Sequence, residues 1–120
     1  MTSLSNSYIF CYVMKESRFQ KHVINKLKDL YPGCIVLKND SSYIQGIPDL
    51  IFLYKGFWAA LEVKQSENSP HRPNQDYYIS LMDDLSFASF IFPENEEEVF
   101  DDLEQAFKRC SGRRTRIPRS

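Results

Sequence analysis

The chain lacks several features that would assign it to a well-defined class. Its 120 residues contain no apolar run of the roughly 20 residues that a membrane-spanning helix needs. Its three cysteines are widely separated and form no CxxC pair, so neither a zinc site nor a disulfide framework is indicated. Residues 1–7 are polar and lack the basic-then-apolar order of a secretory signal. We expect an intracellular protein with free thiols and no membrane association.

The sequence has almost no net charge, but the formal value of −1 conceals two opposed segments. Residues 94–104 carry seven acids and no base, and residues 108–120 carry six bases and no acid. The composition, 42% hydrophobic and 14% aromatic, is sufficient for one core. We therefore expect a single domain over residues 1–110, followed by a basic, flexible tail over residues 111–120.

Hydrophobic spacing predicts an alternating order of helices and strands. The predicted helices span residues 15–31, 73–84 and 94–109, and the predicted strands span residues 34–37, 50–54, 57–63 and 87–92. This order indicates an α/β fold with a mixed sheet. The residues expected to face inward are Phe19, Val23, Leu27 and Leu30 in the first helix, Tyr77, Tyr78, Leu81 and Leu85 in the second, and Val99, Phe100, Leu103 and Phe107 in the third.

The two central strands are separated only by Lys55-Gly56, which predicts a tight hairpin. Counting outwards from a two-residue turn, and provided that no bulge intervenes, Asp49 lies directly opposite Glu62. Directly opposed side chains point to the same face, with Cβ atoms about 4.5–5.5 Å apart. Lys64 lies two residues beyond Glu62 and therefore shares that face.

Two opposed carboxylates repel each other unless a cation lies between them. Hard oxygen ligands suit Mg²⁺ or Mn²⁺, and Lys64 beside such a metal could hold an attacking water or stabilise charge on phosphorus. Pro48 has no donor for a sheet ladder, so it places Asp49 at the accessible start of a strand. The alternative is that Asp49 and Glu62 are only a solvated pair at the sheet edge.

Two segments, Gly46-Ile47-Pro48-Asp49-Leu50 and Leu61-Glu62-Val63-Lys64, resemble the motif of the PD-(D/E)XK nuclease superfamily. Gly46 and Gln75 resemble its VRR-NUC branch, which shares its core with archaeal-type Holliday junction resolvases. The resemblance covers residues 14–92. It implies a restriction-endonuclease-like three-layer core, αβββαβ with a mixed central sheet, and here an additional C-terminal helix.

The resemblance also implies a ligand set for the metal. Asp49 and Glu62 would hold Mg²⁺ or Mn²⁺, the Val63 carbonyl would add a ligand, and Glu16 on the first helix would add another. Lys64 would assist the water. Glu16 has an alternative role, because an acid at a helix N-terminus also suits the helix dipole.

Further residues would surround this centre. Gln75, at the start of the second helix, would lie near the site, unless it is a first-turn residue without a partner. Candidate nucleic-acid contacts are Gln20, His71, Arg72, Arg113, Arg114 and Arg116. Each of these residues has a simpler interpretation as a solvated polar residue. For the arginines, a further simple interpretation is that they pair with the acidic run.

Two segments depart from the family pattern. The loop Ser66–Pro73 is rich in proline, and Asp84-Leu85-Ser86 stands where many relatives have a glycine. Neither includes a metal ligand, but both leave the substrate open.

The expected function is a metal-dependent DNA endonuclease selective for branched or Holliday junction DNA, acting as a homodimer without a small-molecule cofactor beyond the metal. A nicking or end-processing nuclease of replication or packaging, and a catalytically silent nucleic-acid-binding subunit, are the alternatives. We expect it in the cytoplasm of a prokaryotic or virus-infected cell.

Overall fold

The computed structural model describes residues 15–40 and 42–114. Its elements follow the predicted order of helix, strand, strand, strand, helix, strand, helix. They are α1 (Lys15–Leu30), β1 (Ile35–Lys38), β2 (Leu50–Tyr54), β3 (Phe57–Val63), α2 (Gln75–Leu85), β4 (Ala88–Ile91), a 3-10 turn (Pro93–Asn95) and α3 (Glu96–Arg114). None of the helices in these two ranges is long and apolar enough to cross a bilayer.

The β2–β3 hairpin has the predicted two-residue turn. Lys55 and Gly56 both adopt positive φ angles, 48° and 82°, which is the backbone of a type I′ turn. The turn pairs Tyr54 with Phe57, and the same register continues to Leu50 opposite Leu61 without a bulge. The hairpin register expected from the sequence is therefore confirmed along the whole of β2.

The four strands form one mixed sheet in the order β1-β2-β3-β4. β1 and β3 each run antiparallel to β2, whereas β4 runs parallel to β3. A parallel neighbour needs a crossover connection, and α2 supplies it between β3 and β4. The expectation of an α/β fold with a mixed sheet is thus confirmed.

The main core lies between one face of the sheet and the helices α1 and α3. Alternate residues of β2 and β3 supply the sheet side of this core, because successive side chains of a strand point to opposite faces. The buried members include Leu50, Phe52, Ala59, Leu61 and Val63 from the strands, Val23, Leu27 and Tyr31 from α1 and its end, and Val99, Phe100 and Leu103 from α3.

Polar and charged side chains connect α1 to α3. Glu96 at the start of α3 accepts hydrogen bonds from Lys26 at 2.8 Å and pairs with His22 at 2.7 Å. The Tyr31 hydroxyl donates to Glu104 at 2.6 Å. These contacts hold the two helices together over the core.

The helix α2 lies on the other face of the sheet, since its first residue bonds to the alternate side chains of β3. The predicted buried stripe of α2 is wrong: Tyr77, Leu81 and Leu85 are exposed. The helix begins at Gln75, which is buried. The positions that face inward are therefore three, four and seven residues later, at Tyr78, Ile79 and Met82. Of the predicted stripe, only Tyr78 is partly buried.

Two other expectations about helices need correction. Leu30 is exposed, and Tyr31, just after the end of α1, takes the buried place instead. α3 continues to Arg114 rather than ending at Arg109, so part of the basic segment is helical. Phe107 packs at the edge of the core, and Cys34 and Cys110 are free thiols.

Candidate active site

The hairpin brings Asp49 and Glu62 into direct contact at the end of the sheet. The backbone N–H of Asp49 donates to Glu62 Oε1 at 3.2 Å. In return, the N–H of Val63 donates to Asp49 Oδ2 at 3.1 Å. Each carboxylate is therefore held by the main chain of the opposite strand, and its position follows from the register of the hairpin.

Gln75 joins Glu62 to Lys64. Its amide nitrogen donates to Glu62 Oε2 at 2.8 Å, and its amide oxygen accepts a hydrogen bond from Lys64 Nζ at 2.8 Å. All three side chains are buried, with exposed fractions of 3% for Glu62, 6% for Lys64 and 7% for Gln75. Because buried polar groups need partners, this chain of bonds stabilises all three in one orientation.

The loop between β3 and α2 completes the support of Lys64. The Pro70 carbonyl accepts a second bond from Lys64 Nζ at 2.9 Å, and the Arg72 N–H donates to the Gln75 amide oxygen at 2.9 Å. The proline-rich loop Ser66–Pro73 therefore forms one side of the site and holds Lys64 and Gln75 in place. Two of the three ammonium protons of Lys64 are directed at protein acceptors.

The electrostatics of the two carboxyl groups reflect their confinement. Burial, followed by the negative charge of Asp49, raises the pKa of Glu62 to about 7, although Lys64 opposes the shift. Burial also raises the pKa of Asp49, against the hydrogen bond from Val63 and the charges of Lys64 and Arg72. The two carboxyl groups thus lie close together, and the proximity of Asp49 makes it harder for Glu62 to ionise.

These groups line a cleft with a volume of about 340 Å³. Six residues predicted for the site line it together: Glu16, Asp49, Glu62, Lys64, Arg72 and Gln75. The charge of Glu16 contributes to the raised pKa of Glu62. The N-terminus of α1, the hairpin and the start of α2 therefore meet at one place.

Other predicted residues lie elsewhere. Gln20 is half-buried on α1 and does not line the cleft. His71 stacks on Phe90 with ring centroids 4.1 Å apart and pairs with Asp76 at 2.8 Å, so its ring supports the loop.

The remaining predicted residues divide between the core and the end of the chain. The side chain of Val63 is fully buried in the core, and its N–H is used by Asp49. Arg113 and Arg114 belong to the last turn of α3 without described side chains, and Arg116 lies outside the described residues.

The sequence analysis missed several lining residues, including Gln45, Gln65, Ser69 and Pro70. Gly46 was noted only as part of the motif. Its φ is 92°, and a Cβ there would come within 2.6 Å of the Cβ of Asn74, just before α2. A glycine two residues before the Pro48-Asp49 pair was the available signal for this close approach, but nothing in the sequence identified Asn74 as its neighbour.

The carboxyl pair fits a divalent cation by its chemistry. The buried Glu62 and the partly buried Asp49 have raised pKa values, and together they form a pair of hard oxygen donors whose mutual repulsion a cation would relieve. Within residues 15–40 and 42–114, however, no group of three or more His, Cys, Asp or Glu side chains is arranged to hold a metal ion. Any cation would therefore rest on Asp49 and Glu62 with water and substrate oxygens, as Mg²⁺ commonly does.

No protein-family model matches the chain, and comparisons with curated proteins and with solved structures also find no match. The resemblance to the PD-(D/E)XK motif therefore rests on the sequence motifs alone.

Proposed function

We propose that this chain is a metal-dependent nuclease of the PD-(D/E)XK type that hydrolyses phosphodiester bonds in DNA. The observation that carries the proposal is the connected set of Asp49, Glu62, Gln75 and Lys64 in one cleft. The element order and the mixed sheet are compatible with a restriction-endonuclease-like core of the VRR-NUC or Holliday junction resolvase branch.

In this proposal Asp49 and Glu62 hold Mg²⁺ or Mn²⁺, with the Val63 carbonyl and Glu16 as further candidates. When bound, the cation would neutralise the carboxyl pair and supply positive charge next to the scissile phosphate. The raised pKa values of both carboxyl groups support a site that gains from a cation.

The residues of the chain would position the hydrolysis. A water oxygen forms a bond to phosphorus and gives up a proton to solvent, the bond from phosphorus to the leaving deoxyribose oxygen breaks, and the leaving oxygen takes a proton from solvent. Lys64 would orient the water and stabilise negative charge on the phosphoryl oxygens. Gln75 is a positioning residue, since it holds both Lys64 and Glu62 by hydrogen bonds.

Basic residues would hold the DNA backbone. Arg72 lines the cleft, and its charge acts on Asp49. Arg113, Arg114 and Arg116 follow in the basic segment at the end of the chain, and Gln20 and His71 remain weaker candidates because neither lines the cleft. Phosphate contacts of this kind position DNA without reading its sequence.

Two substrate classes fit this site. One is branched or Holliday junction DNA, cut by a homodimer that places two clefts on two strands. The other is DNA that the enzyme nicks, or whose ends it processes, during replication or packaging. The two differ in whether a second copy of the chain is needed, and the cleavage products separate them.

A second candidate function is a silent nucleic-acid-binding subunit that has kept the fold. It is favoured by one observation, that the described residues provide no three-ligand metal group. It is disfavoured by the buried lysine, because keeping Lys64 at 6% exposure beside two carboxyl groups costs free energy that a binding surface does not require.

The test is a cleavage panel. Wild type and Lys64→Ala are incubated with single-stranded, duplex, flapped and four-way DNA, with Mg²⁺ or Mn²⁺. We expect metal-dependent cleavage by wild type and a loss of about 100-fold or more in Lys64→Ala. Gel filtration of the two proteins controls for folding. Unchanged cleavage in Lys64→Ala would overturn the proposed site, and no cleavage by wild type in any condition would favour the silent subunit.

A further inference from the structure

The loop between β1 and β2 presents an unusual side chain next to the cleft. Tyr43 has an exposed fraction of 86%, so its ring is open to stacking by a flat ligand. Ile44 beside it is 36% exposed. The following residues of the same loop, Gln45 and Gly46, already line the candidate active site. The exposed pair is therefore adjacent in the chain to the reacting centre.

A second groove, with a volume of about 520 Å³, runs along this loop. Its lining residues are Asn39, Asp40, Tyr43, Ile44, Ile47 and Ile51. Ile47 lines both this groove and the cleft, so the two are adjacent. We call the surface formed by Tyr43, Ile44, Ile47 and Ile51 the aromatic shelf.

The charge of the groove limits what can lie on the shelf. Among the described residues that line the groove, Asp40 alone is charged, and its carboxylate accepts bonds from the Ser42 N–H at 2.9 Å and the Ser42 hydroxyl at 2.6 Å. A phosphate would meet a like charge there and no cation among the lining residues. A neutral, flat and largely apolar group would instead bury the tyrosine ring and the isoleucines.

We propose that the aromatic shelf binds an unpaired nucleobase of the strand whose phosphate enters the cleft. Bases stack on exposed aromatic side chains regardless of sequence, because every base offers a flat π-face. The base would stack on Tyr43 against the isoleucines while its neighbouring phosphate lies toward Lys64 and Arg72. This inference rests on the proposed nuclease function and narrows its substrate to DNA that has unpaired bases at the cleavage point.

The test uses a single-stranded DNA oligonucleotide carrying 2-aminopurine, whose fluorescence falls when it stacks on an aromatic ring. Titrations are run with EDTA and again with Ca²⁺, so that binding is measured apart from cleavage. The proteins are wild type, Tyr43→Ser, Tyr43→Phe and the control Tyr77→Ser. Tyr77 suits the control because it is an exposed tyrosine (61%) on α2 that does not line the cleft.

We expect wild type, Tyr43→Phe and Tyr77→Ser to quench the probe and to bind with similar affinity. Tyr43→Ser should bind roughly ten-fold more weakly and lose most of the quenching. None of the variants should differ from wild type in its binding to fully paired duplex DNA. Equal binding and quenching by Tyr43→Ser and Tyr77→Ser would overturn the proposal, as would an absence of quenching by wild type.

Two further outcomes separate this proposal from the nuclease function. If Tyr43 controls quenching but no metal and DNA combination gives cleavage, the shelf stands and the nuclease function fails. If Lys64 controls cleavage but Tyr43 affects neither quenching nor cleavage, the nuclease function stands and the shelf fails. A change of oligomeric state in Tyr43→Ser, seen by light scattering without a change in quenching, would instead assign the shelf to a second copy of this chain.

Discussion

The two faces of β3 have opposite chemistry. One face carries only apolar side chains, Phe57, Ala59, Leu61 and Val63, and they belong to the main core. The other face ends in Glu62, Lys64 lies two residues further along the chain, and both are as deeply buried as the core residues. The comparison shows that the core keeps the site rigid. The apolar side chains of β3 are packed in the core, so the backbone that carries the charged side chains of the same strand cannot move independently.

Two glutamates sharpen this contrast. Hydrogen bonds from Lys26 and His22 lower the pKa of Glu96 between α1 and α3, outweighing the effect of its partial burial. The pKa of Glu62 is raised to about 7 by its burial and by Asp49. Glu96 thus has two hydrogen-bond partners, including the ammonium of Lys26, that stabilise its charge, whereas Glu62 lies next to another carboxyl group. In the absence of a bound cation, the side chains around Glu62 stabilise its negative charge only in part.

The largest effect on stability is expected from the apolar face. Leu61→Ala removes a side chain that is 1% exposed, so it should lower the free energy of unfolding by about 2–5 kcal/mol through lost burial and a cavity. Leu53→Ala is the matched control, since Leu53 lies on the opposite face and is only partly buried. Urea denaturation measures both, and equal losses would contradict the assignment of the two faces.

A smaller effect of the opposite sign is expected from Asp49→Asn. The amide oxygen can still accept the Val63 N–H, and its nitrogen can donate to Glu62, while the repulsion is removed. The folded pKa of Glu62 lies above its ordinary value of 4.5, so its contribution to stability is complete below pH 4.5 and is lost as the pH rises through 7. Asp49→Asn removes the neighbouring charge that raises the pKa of Glu62, so the variant should lose less stability than wild type as the pH rises.

The measurement is the free energy of unfolding of both metal-free proteins between pH 5 and pH 8. We expect the variant to gain on wild type by about 1 kcal/mol over this range. A constant difference across the range would mean that Asp49 does not raise the pKa of Glu62. Circular dichroism at each pH would show that the fold is retained.

The smallest effect is expected from Glu96→Gln, on the other side of the molecule. The charge of Glu96 stabilises the folded protein above its unfolded pKa of 4.5, and this contribution is lost as the pH falls through the lower folded pKa. Because the pair is partly solvated, the loss at pH 7 should be about 0.5–1 kcal/mol. Thermal melts of wild type and variant should converge at pH 3, and a gap that persists there would exclude the charge as the cause.

The sequence was sufficient to predict the centre of the site because that centre depends on local rules. A two-residue turn containing Gly56 leaves one favourable register, so the opposition of Asp49 and Glu62 follows from counting. Alternation along the strand then adds Lys64 to the same face. The order of elements was predictable for a similar reason, since each one has its own periodicity.

The surroundings of the site were not predictable because they depend on contacts between distant segments. The acceptor for Lys64 is the main-chain carbonyl of Pro70, which no side-chain pattern identifies. The exposed stripe of Tyr77, Leu81 and Leu85 has helical spacing, but the anchoring of Gln75 under the sheet turns it outward. Tertiary hydrogen bonding therefore outweighed apolar periodicity in α2.

The central claim is that the charged face of β3 and the neighbouring Asp49 form a cation site. Its most direct test is the melting of wild type and Asp49→Asn at pH 8, with and without millimolar Mn²⁺ or Mg²⁺. Binding to the folded state should stabilise wild type by about 1–3 kcal/mol, and the variant by much less, because one of the two carboxylates is gone. Equal stabilisation of the two proteins, or none of wild type by either metal, would contradict the account.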